Sequence, residues 1–133
     1  MNDQVIEEFR NNGGNVGGFF EGKPLLLLHN TGVRSGARRI NPLVYATDGE
    51  SYVIAASKGG ADSHPDWFFN VKADPLVEIE VGEDKLEATA YILPEGERRS
   101  ALYQKLEAIL SNFTEYKNKT DRVIPVIVLE PKV

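Results

Sequence analysis

Residues 25–56 read LLLLHNTGVRSGARRINPLVYATDGESYVIAA, and the rest of the chain arranges itself around them. Leu25 to Leu28 is a continuous apolar run, short enough for a strand buried on both faces. Thr31-Gly32-Val33-Arg34-Ser35-Gly36 follows as a polar, glycine-containing turn. Arg39 to Ala46 then carries Ile40, Leu43, Val44 and Tyr45 as a second strand. Thr47-Asp48-Gly49-Glu50 holds an Asp-Gly hairpin signal, and Tyr52 to Ala56 returns as a third strand. Strands two and three are thereby expected to pair. Their pairing would bring the loop after strand one and the loop after strand three to the same end of a sheet.

On the C-terminal side, Ser57-Lys58-Gly59-Gly60-Ala61-Asp62 is a second glycine loop. Ser63 as N-cap, Pro65 in the first turn and Asp66 behind it predict a short helix carrying Trp67, Phe68, Phe69 and Val71, ended by Asp74-Pro75. Val77 to Val81 alternates strictly, Gly82-Glu83-Asp84 turns, and Leu86 to Leu93 alternates again, so two more strands follow. Leu102, Leu106, Ile109 and Leu110 give the segment Glu95–Leu110 an amphipathic helical period. Val123 to Leu129 closes the chain as a strand, with Pro125 marking an edge, a bulge or the strand's start. At the other end, Val5, Ile6 and Phe9 predict a short helix, and the glycines at 13, 14, 17, 18 and 22 form a flexible connector. About six strands, mostly hairpin-linked, with few helices predict a mainly β fold. A small barrel with peripheral helices fits it better than alternating βαβ units.

The whole 133-residue chain is expected to be one domain, with residues 1–18 a short helical N-terminal extension. There is no cysteine, which excludes disulfides, thiolate ligands and a cysteine nucleophile together. Two histidines are too few for a metal site, and none is expected. No apolar run approaches the roughly 18 residues of a membrane span, and no leader-like segment is seen, so the cytoplasm is the default expectation. The short N-terminal helix is the one candidate for membrane contact, and its acidic residues argue against firm binding. Oligomeric state is open.

A net charge of −5 argues against nucleic-acid binding, and aromatics are not interleaved with the basic residues. The charge is unevenly spread. Between Lys23 and Lys58 five basic residues (Lys23, Arg34, Arg38, Arg39, Lys58) face two acidic ones (Asp48, Glu50), a balance of +3 against −8 for the remainder. That asymmetry points to one localised anionic ligand, although a solvated surface loop produces the same composition. The two glycine loops carry these cations. Glycine lets backbone N–H groups approach a ligand, and arginine offers forked donors to phosphate or carboxylate. Charge-assisted hydrogen bonds contribute about 1.5–3 kcal/mol each, so two or three account for micromolar affinity. Neither loop matches a Walker or dinucleotide fingerprint.

Taken as whole segments, the loops are more specific. His29 to Gly36 followed by Arg39-Ile40-Asn41-Pro42-Leu43 resembles the signature T-G-x-[RK]-[ST]-G-x-x-R-x-N-P-L of the deazaflavin-dependent nitroreductase family, the A-type branch of the coenzyme F-420-dependent oxidoreductases. Ala55 to Ala61, then Pro65, Trp67, Asn70, Ala73 and Pro75, is similar to that family's second block, and Thr120 to Val126 to its C-terminal block. The resemblance spans residues 19–131 and implies a split β-barrel, an FMN-binding-like barrel, that binds F-420. It implies that Arg34 and Arg39, with Lys58, hold the phosphate and polyglutamate tail. Family members often carry a second cation immediately before Arg34; here that position is Val33, and Arg38 is an extra cation nearby. Asn41, Pro42 and Tyr45 would line the groove. Ala55, Ala56, Ser57 and Gly60 would give backbone contacts to the ring and ribityl chain, and Trp67 and Asn70 would close the other side.

The resemblance also implies chemistry: a reductase that passes a hydride from reduced F-420 to an electron-poor acceptor, with Ser57, Tyr116 or water orienting or delivering the proton. The branch that activates nitroimidazoles places tyrosines after the late helix. Here one is kept as Tyr116, and the position three earlier is Phe113, which keeps a stacking surface and loses a hydroxyl. Quinones and α,β-unsaturated carbonyls are therefore expected as better acceptors than nitro compounds. An FMN-binding barrel oxidoreductase and a non-catalytic deazaflavin carrier remain alternatives. Trp67, Phe68 and Phe69 equally suit a core, His29 a structural role, and Arg122 an ion pair with Asp121 or a neighbouring glutamate.

Overall fold

A computed structural model describes residues 2–132. Along β1 (Leu25–Thr31), Leu25 and Leu27 face one apolar cluster while Leu26 and Leu28 face another, as the run of four leucines requires. Each buried leucine contributes about 1.5–3 kcal/mol, so this strand is the centre of the core. It is hydrogen-bonded on one side to β2 (Arg38–Val44), from Leu25↔Val44 to Thr31↔Arg38. The remaining strands are β3 (Ala46–Asp48), β4 (Ser51–Ala55), β5 (Leu76–Val81), β6 (Asp84–Ile92) and β7 (Val126–Pro131). They complete an antiparallel sheet of order β2-β1-β5-β6-β7-β4-β3.

That order departs from the hairpin expected of Arg39–Ala46 with Tyr52–Ala56. Only β3 pairs with β4, over Ala46↔Val53, Thr47↔Tyr52 and Asp48↔Ser51. At Tyr45 the backbone N–H donates to Pro24 O at 3.1 Å and the strand breaks in two, which raises the strand number to seven. β2 and β3 then stand at opposite edges of the sheet although a single residue separates them in the chain. The sheet has to curl until its edges meet. Both tight hairpins use glycine at the first of two loop residues, Gly49 at φ 61° and Gly82 at φ 59°, the conformation of the primed turns.

The curl gives the sheet an inner and an outer face. Ile54, Ile79, Ala88, Ile127 and Leu129 fill the inside, where Trp67, Phe68 and Val71 of α2 (Asp66–Ala73) pack against them. The N-cap position of α2 is Pro65, not Ser63, whose hydroxyl instead lies 3.4 Å from Lys58 Nζ. The outside is covered by α1 (Asn2–Asn11), α3 (Glu97–Ile109) and α4 (Asn112–Lys119). α4 has no counterpart in the sequence reading, because only Phe113 and Tyr116 among its residues face the core. β7 starts directly after Pro125, whose carbonyl accepts from Ala56 N–H at 3.0 Å.

The predicted N-terminal helix lies on the barrel wall, not over its mouth. Phe9 is 1% exposed, with Val5 and Ile6 beside it. Its apolar face is therefore committed to the core and unavailable to a membrane. A buried carboxylate pins the far side of the helix. Arg10 donates to Glu80 from Nε at 3.1 Å and Nη2 at 2.8 Å, and His29 Nε2 donates to Glu80 Oε2 at 2.6 Å. The Arg10 hydrogen bond, with His29 adding to it, holds the Glu80 carboxyl at about 2, against an ordinary 4.5. A carboxyl depressed in the folded state stabilises the fold above its ordinary value, and that stability is lost as pH falls from 4.5 through 2. Arg10→Met is expected to reduce the acid sensitivity of the fold over this interval, measured as the pH dependence of the urea midpoint relative to wild type.

Candidate functional site

Closure of the barrel brings two loops together. The first, residues 32–37 between β1 and β2, is a compact turn in which Gly32 N–H donates to Ala37 O and Gly36 N–H to Gly32 O, both at 2.9 Å. The second, residues 56–65, joins β4 to α2. Between them lies a cleft of about 910 Å³ lined by Arg34, Arg39, Asn41 and Lys58, by Trp67 and Asn70 of α2, and by the backbone at the α2 N-terminus. A smaller pocket of about 260 Å³ adjoins it, with Lys58 and Trp67 common to both and Phe20, Pro42, Ala55, Ser57, Leu110, Phe113 and Tyr116 also in its walls. The first compartment is cationic and rich in amides; the second is apolar and carries two hydroxyls.

The charges in the cleft are available to a ligand. Among the described residues, no carboxylate lies within ion-pair distance of Arg34, Arg39 or Lys58, whereas Arg10, Arg38, Lys85, Arg98, Lys105 and Lys117 are all paired. Asp66, at the first turn of α2, is the single acidic residue in the lining. The N-terminus of α2 adds unpaired backbone N–H groups and the positive end of its dipole.

Backbone conformation also marks Lys58. It is the sole non-glycine residue with positive φ among the described residues, at 47°, followed by Gly59 at 64° and Gly60 at 84°. Ser57 before it is right-handed helical, so the loop turns from right- to left-handed backbone, the pattern that cups N–H groups around an anion. A left-handed non-glycine residue costs about 1–2 kcal/mol and persists only where its surroundings impose it.

Arg122 imposes it. Its guanidinium donates from Nη2 to Ser57 O at 2.7 Å, from Nε to Ala61 O at 2.7 Å and from Nη1 to Ala56 O at 3.1 Å. A fourth bond runs from Nη1 to His64 Nδ1 at 2.9 Å. His64 can accept it only while that nitrogen is unprotonated. Burial first, then the charges of Arg122 and Lys72, push its pKa down. Arg122, expected to pair with Asp121 or a neighbouring glutamate, is instead the clamp of the Lys58 loop. Nothing in its immediate neighbours announces this, because its acceptors are carbonyls more than fifty residues earlier.

Of the residues expected in the site, Arg34, Arg39, Asn41, Lys58, Trp67 and Asn70 line the cleft, and Pro42, Ala55, Ser57 and Tyr116 the apolar pocket. Four lie elsewhere. Arg38 alternates with Arg39 along β2, so it projects to the opposite face, 3.8 Å from Glu78. Tyr45 stacks edge-on against Tyr52 at 5.2 Å and belongs to the barrel interior. Ala56 is fully buried there, its carbonyl taken by Arg122. Gly60 packs against α4: a Cβ at this position would stand 2.8 Å from Tyr116 O. The cleft lining also includes residues not expected in the site, among them the buried Asn30 and the exposed aromatic Phe69. Asn30 lies within the first quoted block, and strand alternation from the buried Leu26 and Leu28 was the available signal.

The family model described as "F420H(2)-dependent quinone reductase" matches residues 3–131. The chain belongs to that family. Its relatives include the F420H(2)-dependent quinone reductase of Mycobacterium tuberculosis strain H37Rv, 40% identical over 91% of this chain and 83% of the relative. Among solved structures, an F420-H2 dependent reductase superposes with a TM-score of 0.74 at 41% identity, covering 80% of this chain and 94% of its own. A second, described as a domain-swapped dimer, gives 0.76 at 36% identity over 97% and 96%. The barrel is accordingly a split β-barrel, the protein an oxidoreductase, and its cofactor coenzyme F-420. The site fits that group: free cations stand where an anionic tail needs them, and an apolar pocket adjoins them for a ring.

Two substitutions separate the backbone of the Lys58 loop from its charge. Lys58→Gly is expected to stabilise the fold by about 1 kcal/mol through relief of the left-handed conformation. Gly60→Ala is expected to destabilise it by about 2 kcal/mol or more, through the contact with α4 and its own positive φ. Both are read from chemical denaturation.

Proposed function

We propose that this protein reduces quinones with reduced F-420, taking α,β-unsaturated carbonyls as secondary acceptors and nitroimidazoles poorly. The observation that carries the reading is the adjacency of the cationic cleft and the apolar pocket, which share Lys58 and Trp67 in their walls. Arg34, Arg39 and Lys58 would hold the coenzyme's tail as charged donors, while Pro42, Ala55, Ser57 and Trp67 would hold its ring. Bound F-420 supplies a hydride carried at C5 of the reduced ring, and the protein positions it and excludes competing water.

Phe20, Leu110, Phe113 and Tyr116 form the rest of the apolar pocket, and they suit a planar, uncharged acceptor. Phe113 is buried and meets both Tyr103 and Tyr116 edge-on, at 5.9 and 5.6 Å. The pocket therefore offers a ring edge where a hydroxyl would favour a nitro group. Hydride addition to a carbonyl leaves negative charge on oxygen, which needs a donor. Tyr116 and Ser57 supply the two hydroxyls in the pocket. Burial, then Glu115, raises the Tyr116 pKa, so the phenol stays protonated at neutral pH and donates.

Oxidation of reduced F-420, followed by its absorbance, is expected to be fast with quinones, slower with enones and slowest with bicyclic nitroimidazoles. Equal or faster nitroimidazole turnover would overturn the acceptor order. Lys58→Ala is expected to weaken coenzyme binding by about tenfold, one charge-assisted bond, with the loss shrinking at high salt. Undiminished affinity in that variant would remove Lys58 from the tail site.

A further inference from the structure

Three asparagines at the mouth of the barrel form one directed chain of hydrogen bonds. Val33 N–H donates to Asn70 Oδ1 at 3.1 Å, Asn70 Nδ2 to Asn30 Oδ1 at 2.8 Å, and Asn30 Nδ2 to Asn41 Oδ1 at 3.0 Å. Asn30 and Asn70 are 4% and 8% exposed, so water cannot replace a lost partner without cost.

The sense of this chain is fixed from both ends. A backbone N–H only donates, so Asn70 must turn its oxygen to Val33 and its amide to Asn30. A backbone carbonyl only accepts, and Asn30 Nδ2 also donates to Leu28 O at 3.3 Å, so Asn30 must turn its nitrogen toward β1 and Asn41. Reversal would oppose donor to donor at Val33 and acceptor to acceptor at Leu28. Asn41 therefore receives at Oδ1, and its Nδ2 has no protein partner among the described residues. No side-chain polar atom among them is both buried and unpaired, so this Nδ2 is accessible, and Asn41 lines the cleft.

We propose that Asn30 and Asn70 are positioning residues that hold Asn41 as an obligate hydrogen-bond donor into the cleft. The coenzyme group it meets is then an acceptor oxygen, a carbonyl or an anionic oxygen, and a donor group there is rejected. The same chain ties the loop of Arg34 to α2 through Val33, so the donor and the cation are set by one network. The inference rests on F-420 occupying the cleft. It adds a polarity that a list of lining residues does not contain.

The distinguishing pair is Asn70→Asp and Asn70→Ala. A carboxylate at 70 still accepts from Val33 but cannot donate to Asn30. Asn30 is then drawn to turn its amide toward residue 70, which pushes Asn41 to present its oxygen. Alanine breaks the link but leaves the anchor at Leu28, so Asn41 keeps its sense. At about 0.5 M salt, where the screening length falls to roughly 4 Å, Asn70→Asp is expected to bind F-420 about tenfold more weakly than Asn70→Ala. A purely structural role gives the reverse order, deletion being worse than the near-isostere, and that order would overturn the proposal.

Wild-type protein supplies a second readout that needs no variant. In nitrogen-labelled protein, the side-chain NH2 of Asn41 is expected to exchange quickly when free and to shift and gain protection on adding F-420, with Asn30 protected throughout. If the coenzyme perturbs the backbone amides of residues 33–39 and 57–60 and leaves the Asn41 NH2 untouched, the donor assignment is wrong and the site stands. Binding that perturbs neither loop would overturn both.

Discussion

One covalent fact constrains everything else: β2 and β3 are the two edges of a seven-stranded sheet, and Tyr45 alone joins them. An open, twisted sheet of seven strands would hold its edges roughly 30 Å apart at about 4.8 Å per strand, a distance one residue cannot span. The sheet is closed by connectivity as much as by its inner core. Closure also removes most of the exposed strand edge that such a sheet would present to other chains. The cleft is a by-product of the same geometry, because the loops after β1 and β4 reach one another only when the edges are brought together.

What closure brings together, long-range polar contacts then fix. Each loop is held by a side chain distant in sequence: the Arg34 loop by Asn70, the Lys58 loop by Arg122. Asn70 does so with one bond to Val33 N–H, whereas Arg122 grips three carbonyls and holds a conformation that Lys58 itself does not favour. Arg34, Arg39 and Lys58 meet no carboxylate among the described residues, whereas cations elsewhere on the barrel do. Arg10 and His29 absorb Glu80, and Arg38 turns to Glu78 on the outer face. A single residue of register separates Arg38 from Arg39, and with it a structural cation from a ligand-facing one.

Local patterns were legible, and pairings were not. The four leucines, the Asp48-Gly49 turn, the alternation of residues 77–81 and the stripe of α3 each declare an element, because burial imposes a period that sequence preserves. The break at Tyr45 is invisible for the opposite reason: residues 42–46 remain apolar across it, and only the competing partner strands β1 and β4 decide where it falls. α4 escaped because two core-facing residues in eight make no stripe. In the site, residue types in ordered blocks pointed to the cationic cleft, while the face of Arg38 and the burial of Ala56 required the register. Arg122 and Asn30 were readable only as residues of the right kind, since their partners are defined by tertiary contact.

The clamp by Arg122 has a consequence for how the molecule is made. β1 and β2 form a local hairpin, but β4 finds its inner partner only in β7, the last strand of the chain. Contacts of such high sequence separation form late, after the loop-closure entropy between them has been overcome. A chain emerging from the ribosome can pair β3 with β4 early, yet β4 lacks its second partner and the Lys58 loop its clamp until residues 122–129 appear. Assembly of the groove therefore waits on residues 122–129, and a coenzyme that needs both loops stabilises the closed barrel over any form in which they stand apart.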